Sequence, residues 1–298
     1  MIKKQILKYV TNSLKIIKKY MRKKQILKYV SKDIKGIEIA PWHQPIAPKK
    51  DGFNILTLDI FSTLELREKA AVDPNIPTES LENIEEVDFV ISALDIDLAV
   101  ERVDQLGKFD YIISSHNFEH LPNPIKFLQA CGRVLKNGGH LSMAIPNKQY
   151  TFDLFRPLST TTDLLRSFYD NQSKPSPYQI FNFSSNFINN APNAKGQGIG
   201  DIEFSQDLKN CFDGLKSQLG QETGEYIDVH VSVFTPDSFN LIMAELISLE
   251  LIPFKIKNII PTYGSEFYAH LEKIDAKDFH KYKLSNQQRI DLYKKLYV

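Results

Sequence analysis

The sequence predicts an α/β fold: a doubly wound, mostly parallel sheet that ends in an antiparallel hairpin strand and carries a lid-like insertion. Three observations predict it. From Gly36 to Pro146, short apolar runs alternate with segments of helical periodicity, the pattern of a parallel sheet with helices on both faces. Two apolar runs at 251–259 and 266–274 lie too close for a crossover helix, so they pair antiparallel. Between these halves, residues 150–226 collect Ser, Asn, Pro and Gly over a length no ordinary loop has, and read as an insertion or lid.

The elements follow in order. Residues 1–35 form a basic extension in which "KKQILKYV" occurs twice, at 3–10 and 23–30, as if twenty residues had been duplicated. Ile6, Val10, Leu14, Ile17 and Met21 recur at helical spacing among lysines. Such a helix suits weak contact with a membrane surface or a protein, or simply a solvated role; no Trp or Phe marks its apolar side. The main domain spans 36–274. "GIEIA" (36–40) and "NILTLD" (54–59) read as strands, and "TLELREKAA" (63–71) as a helix. "EVDFVIS" (86–92) is a third strand, followed by a helix over 96–106 with Leu98, Val100, Val103 and Leu106 on its apolar side. "KFDYIISS" (108–115) is a fourth strand. The helix over 124–135 closes on the glycine turn "KNGG", and "HLSMAIP" (140–146) is the fifth strand. "DVHVSV" reads as a short strand before a helix with Thr235 as N-cap and Pro236 in its first turn. Residues 275–298 read as a polar helical tail.

Composition excludes several classes. The chain has 298 residues, 42% hydrophobic and 24% charged, as soluble globular proteins do. Charges interrupt every apolar stretch before about 18 residues, so no transmembrane helix or signal peptide is expected. Cys131 and Cys211 are the only cysteines, which points to a reducing, cytoplasmic location rather than a disulfide framework. Residues 1–35 hold twelve Lys or Arg against Asp33 alone, so a net charge of +1 leaves the remainder strongly acidic. An acidic body is not a nucleic-acid binder.

Ligands of open α/β sheets sit at the carboxyl ends of the strands. Glu38 lies in the first strand, and Asp59 ends the second, where an acid commonly meets ribose hydroxyls. Asp95 follows the third strand and can face an adenine amino group. The turn after the first strand, "EIAPWHQPIAP", has no G-x-G-x-x-G, and Pro41, Pro45 and Pro48 forbid a helix there. A pyrophosphate is therefore poorly served, which argues against a nicotinamide oxidoreductase. S-adenosyl-L-methionine, with an adenosine and no phosphate, is compatible.

"GIEIAPWHQPIAPK", "LTLDIF", "FDYIISSHNFEHLPNPIKFL", "VLKNGGHLSMAIP" and "FRPLSTT" together resemble a bacterial family of class I S-adenosylmethionine-dependent methyltransferases of Rossmann-like fold, often associated with sugar and surface-polysaccharide biosynthesis. The likeness covers about residues 36–273. It implies S-adenosyl-L-methionine as cofactor, with Glu38 and Ala40 beside the methionine portion, Asp59 on the ribose, Leu94 and Asp95 bordering the adenine, and Ser115 and His116 lining the cleft. Ala40 replaces the first glycine of the family's turn, which is strained if its φ is positive. The resemblance assigns no base. Chemically, a hydroxyl acceptor must lose a proton, and histidine suits that task. His120, with Glu119 beside it, and His230 in "DVHV" are the catalytic candidates; each also fits a plain structural role. His116 and His120 have an H-x-x-x-H spacing, but with no evident third ligand no metal is expected. Trp42 either stacks on the cofactor or fills the core where the helix is missing. The expected activity is O-methylation of a sugar or glycan hydroxyl; the alternative is a catalytically inactive module of the same fold that binds a glycan or protein.

Overall fold

The computed structural model describes residues 17–191, 202–219 and 226–297. The first copy of the repeat, with Ile6, Val10 and Leu14, lies outside them, as do 192–201 and 220–225 of the insertion.

Seven strands form the sheet: β1 (Gly36–Ile39), β2 (Ile55–Asp59), β3 (Phe89–Val90), β4 (Phe109–Ser115), β5 (Leu135–Pro146), β8 (Phe254–Tyr263) and β9 (Glu266–Lys273). Their order is β3-β2-β1-β4-β5-β9-β8. Pairing from β3 through β5 is parallel, and β9 runs antiparallel to both β5 and β8. The doubly wound sheet with its antiparallel hairpin is thus as expected. β6 (Ile188–Asn189) and β7 (Glu203–Phe204) make a separate two-stranded ribbon in the insertion.

Local chemistry sets the helix starts. α2 (Thr63–Val72) opens on a capping box between Ser62 and Glu65. α3 (Ile96–Glu101) is short. α4 (Pro124–Val134) starts with Asn123 accepting the Lys126 N–H and Pro124 in its first turn. The insertion holds α5 (Thr161–Tyr169), α6 (Pro177–Asn186) and α7 (Leu208–Leu219), so its polar composition conceals helices. α8 (Pro236–Ser248) begins at Thr235 as expected, and α9 (Asn286–Lys294) lies in the tail.

Several boundaries differ from expectation. β3 is two residues long, not seven, because the Asp88 carboxylate accepts the Thr57 N–H at 2.7 Å and takes over a ladder position. α3 stops at Glu101 because the chain turns left-handed at Asp104, φ 54°, leaving Leu98 and Val103 exposed. "KNGG" does not cap α4. It is a bulge at the start of β5, where the partner register jumps between Phe109 and Tyr111 and Gly138 takes φ 81°. "DVHVSV" is extended but joins no sheet: Val231 and Ser232 both donate to the Glu119 carbonyl, and Val233 pairs with Ser159.

One face of the sheet carries the main core, where Phe118, Phe127, Leu128, Phe239 and Phe254 are fully buried. The other face is covered differently from a usual doubly wound fold. Ile26 is fully buried there against Ile46, Ala47, Ile55, Tyr111 and Tyr268, with Leu27, Val30 and Ile34 around it. The segment expected as a separate basic extension therefore packs on the body. Helix α1, over residues 17–26, and the loop after it stand where the prolines of 41–48 prevent a helix. Gly36 belongs to this contact, since a Cβ there would meet the Tyr111 ring at 2.1 Å.

Candidate active site

The order of the sheet reverses at β1, which pairs with β2 on one side and β4 on the other. A crevice opens at the carboxyl ends of these strands, the place where such sheets bind ligands. The loop after β1 is tied back by Glu38, whose carboxylate accepts the N–H of Ile46 at 2.7 Å and of Ala47 at 3.0 Å. Burial pushes the Glu38 carboxyl up to about 7 against the opposing pull of those two bonds. Glu38 therefore shapes the loop. Ala40 and Trp42 take φ 48° and 50°, and His116 at the end of β4 takes 51°. Each left-handed non-glycine residue costs about 1–2 kcal/mol, and three of them surround one crevice.

Two clefts meet there. The larger, about 810 Å³, is lined by Ala40, Asp59, Phe61, Leu94, His120 and Asp228, among others. Asp59 is buried at its floor, with one carboxylate oxygen accepting the Phe61 N–H at 3.0 Å; burial raises its pKa despite that bond. One buried carboxylate beside an apolar wall, with no glycine-rich anion nest, fits a nucleoside that carries no phosphate. The second cleft, about 680 Å³, shares Ala40, Trp42 and His116 with the first and is bordered by Lys18, Lys19, Arg22 and Lys23 of α1. Arg22 reaches across it to the Glu266 carboxylate at 2.7 Å and to the Ser115 hydroxyl at 2.6 Å.

On the far wall of the larger cleft lies a cluster of histidines and acids. The short 3-10 turn Phe118–His120 brings Glu119 inward, and the "DVHVSV" strand hydrogen-bonds to that turn's backbone, which sets His230 beside His120 with ring centroids 4.7 Å apart. His120 Nδ1 meets Asp228 Oδ1 at 2.7 Å, and His230 Nδ1 meets Asp153 Oδ2 at 2.6 Å. His116 Nε2 meets Glu266 Oε2 at 2.7 Å. Behind His230, Arg156 pairs with Asp153 at 2.7 Å and donates to Asn182 of α6 at 2.9 Å. Burial works against a charge on His116, but Glu119 and Glu266 prevail and raise its pKa to about 9. The same balance, with Asp228 as the main partner, raises His120. His230 and Arg156 hold the Asp153 carboxyl below its usual range although burial opposes them.

The structure thus brings together Ala40, Asp59, Leu94, His116 and His120 around one cleft, with Glu119 and His230 directly behind His120. Asp95 is not among them: its carboxylate pairs with Lys126 at 2.7 Å, at the start of α4. Ser115 faces Arg22 in the second cleft. Arg156 is fully buried as an anchor beneath the cleft. Trp42 packs with Leu66 and Ala70 of α2 while lining both clefts, so it fills and faces at once. Sequence reasoning missed Asp153, Glu266 and Arg22. Their partners lie 77 to 244 residues away, and only the acid and base types themselves could have hinted at a role.

Comparison with known proteins gives a consistent family. A family described as "Methyltransferase domain" matches residues 19–246, most of the chain. Ubiquinone biosynthesis O-methyltransferases of Xanthomonas oryzae are 37% identical over 68 residues, which is 23% of this chain and 27% of theirs. Those of Xanthomonas campestris are 36% identical over 69 residues, again 23% and 27%. The match therefore spans about a quarter of the length of these relatives. Among solved structures, a SAM-dependent methyltransferase of Methanosarcina mazei is 16% identical with TM-score 0.42, covering 84% of this chain and 96% of that one. The PH0226 protein of Pyrococcus horikoshii is 13% identical with TM-score 0.43, covering 83% and 85%. Among the described residues, no helix is long and apolar enough to cross a membrane. The chain belongs to the methyltransferase-domain family.

Proposed function

We propose that this methyltransferase acts on a hydroxyl oxygen of a sugar or glycan, with S-adenosyl-L-methionine as methyl donor. The observation that carries the reading is a single cleft lined by both the Asp59 carboxylate and the His120–Asp228 pair. The donor supplies an electrophilic sulfonium methyl when bound. Asp59 holds the ribose hydroxyls through its remaining carboxylate oxygen, and Leu94 and Phe61 flank the base. Methyl transfer is an in-line displacement, so alignment of the acceptor is a large part of the task. Ser173, Lys174 and Tyr226 of the insertion line the same cleft and form its acceptor side. His120, oriented by Asp228 and backed by Glu119 and His230, takes the hydroxyl proton. The choice of oxygen is supported by the O-methyltransferase relatives, and that of a sugar by the resemblance of the strand and turn motifs.

The test is calorimetric titration with S-adenosyl-L-methionine, followed by turnover on a panel of sugars and nucleotide sugars with an isotope-labelled methyl group. Asp59→Ala should weaken donor binding by about 1.5–3 kcal/mol, the worth of hydrogen bonds to a charged group. His120→Ala should keep donor binding and lose about 10²–10⁴-fold in turnover. Label on nitrogen or carbon would overturn the hydroxyl reading. A folded protein that binds no donor would favour the non-catalytic module, which the strained turn at Ala40 alone supports.

A further inference from the structure

We infer that Glu119, His120 and His230 bind a divalent cation of the zinc type. The inference deepens the preceding reading, because the cluster is the wall proposed to receive the acceptor hydroxyl; with an ion held there, His120 Nε2 would be a ligand, and the proton would pass instead to water or hydroxide on the ion. Glu119 is 1% exposed, and neither of its carboxylate oxygens accepts a hydrogen bond in good geometry among the described residues; the nearest nitrogen, Nδ1 of the half-exposed His116, stands 3.5 Å from Oε1. A buried carboxylate without a well-formed hydrogen bond is costly. Two further imidazole nitrogens face it: His120 Nε2 at 3.9 Å and His230 Nε2 at 4.0 Å from Glu119 Oε1. These separations are too long for hydrogen bonds. They are close to what two ligands of one ion require, since zinc–nitrogen bonds of about 2.1 Å set tetrahedral ligands roughly 3.4 Å apart. One donor atom from each of the three residues lies within 4.8 Å of the others.

The outer nitrogens argue the same way. A metal-binding histidine commonly gives its second nitrogen to a carboxylate, which fixes the tautomer and leaves the inner lone pair for the ion. His120 does so to Asp228 and His230 to Asp153, at 2.7 Å and 2.6 Å. Phe152 and Phe183 pack on the His230 ring, centroids 4.7 Å and 6.0 Å away, and give the site an apolar shell. Two imidazoles and one carboxylate suit Zn²⁺ rather than Ca²⁺ or Mg²⁺, which prefer oxygen. Three protein donors leave a tetrahedral ion one further position for water or an acceptor oxygen. His120 is the donor that lines the cleft, so that position is reached from there.

The experiment is binding of Zn²⁺ and Co²⁺ alone, without methyl donor or acceptor, to the full chain after chelator treatment. One equivalent should bind, and Co²⁺ should give the strong visible absorption of a four- or five-coordinate ion with nitrogen ligands. His230→Ala should abolish both signals, and Asp153→Asn, which removes the orienting carboxylate together with its ion pair to Arg156, should weaken affinity by about 10–100-fold in the folded variant. If the buried His230→Ala variant does not fold, the half-exposed His120→Ala must show the loss instead. Absence of stoichiometric binding to the unaltered chain, or unchanged affinity in either folded histidine variant, overturns the site. Because no donor is in the assay, failure here leaves S-adenosyl-L-methionine binding to be judged separately, and failure there leaves the metal result standing.

Discussion

At Ala40 the chain makes a left-handed turn without the glycine that would make it easy. A φ of 48° puts the Ala40 Cβ against the following carbonyl, and the residue remains there because Glu38 ties the loop down two strand positions earlier. Relieving this strain should stabilise the protein. Ala40→Gly is expected to raise the unfolding free energy by about 0.5–1 kcal/mol, the left-handed penalty less the extra freedom glycine has when unfolded. Thermal denaturation without ligand measures it; a lower melting temperature in the variant would show that the Ala40 methyl packs usefully. The same residue scale holds the histidines. His120 and His230 differ in exposure but share a design, each with one nitrogen fixed by an acid and the other turned toward Glu119.

At the scale of elements, the segment 17–35 does what the first crossover helix does in a usual doubly wound fold. Prolines at 41, 45 and 48 deny a helix after β1, so the second face of the sheet is closed from the preceding side, by Ile26, Leu27, Val30 and Ile34. A chain starting at Met21 keeps all of these and keeps Arg22 on Glu266. It should melt within about 4 °C of the full chain, a change of roughly 1–2 kcal/mol for a domain this large. A chain starting at Gly36 uncovers Ile46, Ile55 and Tyr111 and should be insoluble or unfolded, since burying one such side chain contributes about 1.5–3 kcal/mol. Circular dichroism melts of the two truncations decide; a stable Gly36 start would show that α1 adds nothing to the core. The insertion is likewise an element with internal structure. α6 supplies Asn182 to Arg156, and Arg156 supports Asp153 behind His230, so the insertion braces the site as well as lining it.

At the scale of the whole molecule, two buried groups titrate against each other. The Glu38 carboxyl is raised from 4.5 to about 7, so the native state holds its proton longer than the unfolded chain and stability falls as pH rises through that window. His270, fully buried on β9, is lowered from 6.5 to about 4 by burial, so stability is lost as pH falls through that window. The two slopes oppose each other over most of their shared range. Removing one should expose the other: the unfolding free energy of Glu38→Gln relative to the unaltered chain should improve by roughly 2–3 kcal/mol from pH 4.5 to 7.5, at about 1.4 kcal/mol per pKa unit. Urea titrations at several pH values check it, and a pH-independent difference would return Glu38 to an ordinary pKa.

The sequence by itself determined where the elements lie: apolar alternation located β1, β2, β4, β5 and the terminal hairpin, and Thr235 and Pro236 marked the start of α8, because periodicity and capping act over a few residues. It also put Asp59 at a strand end and histidines near the fourth strand. What it could not determine was partnership. Asp95 looked like a ligand contact and pairs with Lys126; "DVHVSV" looked like a sheet strand and pairs with a turn. The third donor beside Glu119 and His120 is His230, more than a hundred residues on. Such contacts depend on which loops the parallel crossovers deliver to the same end of the sheet, and that is decided by packing of the folded whole, where no local pattern of residues carries the information.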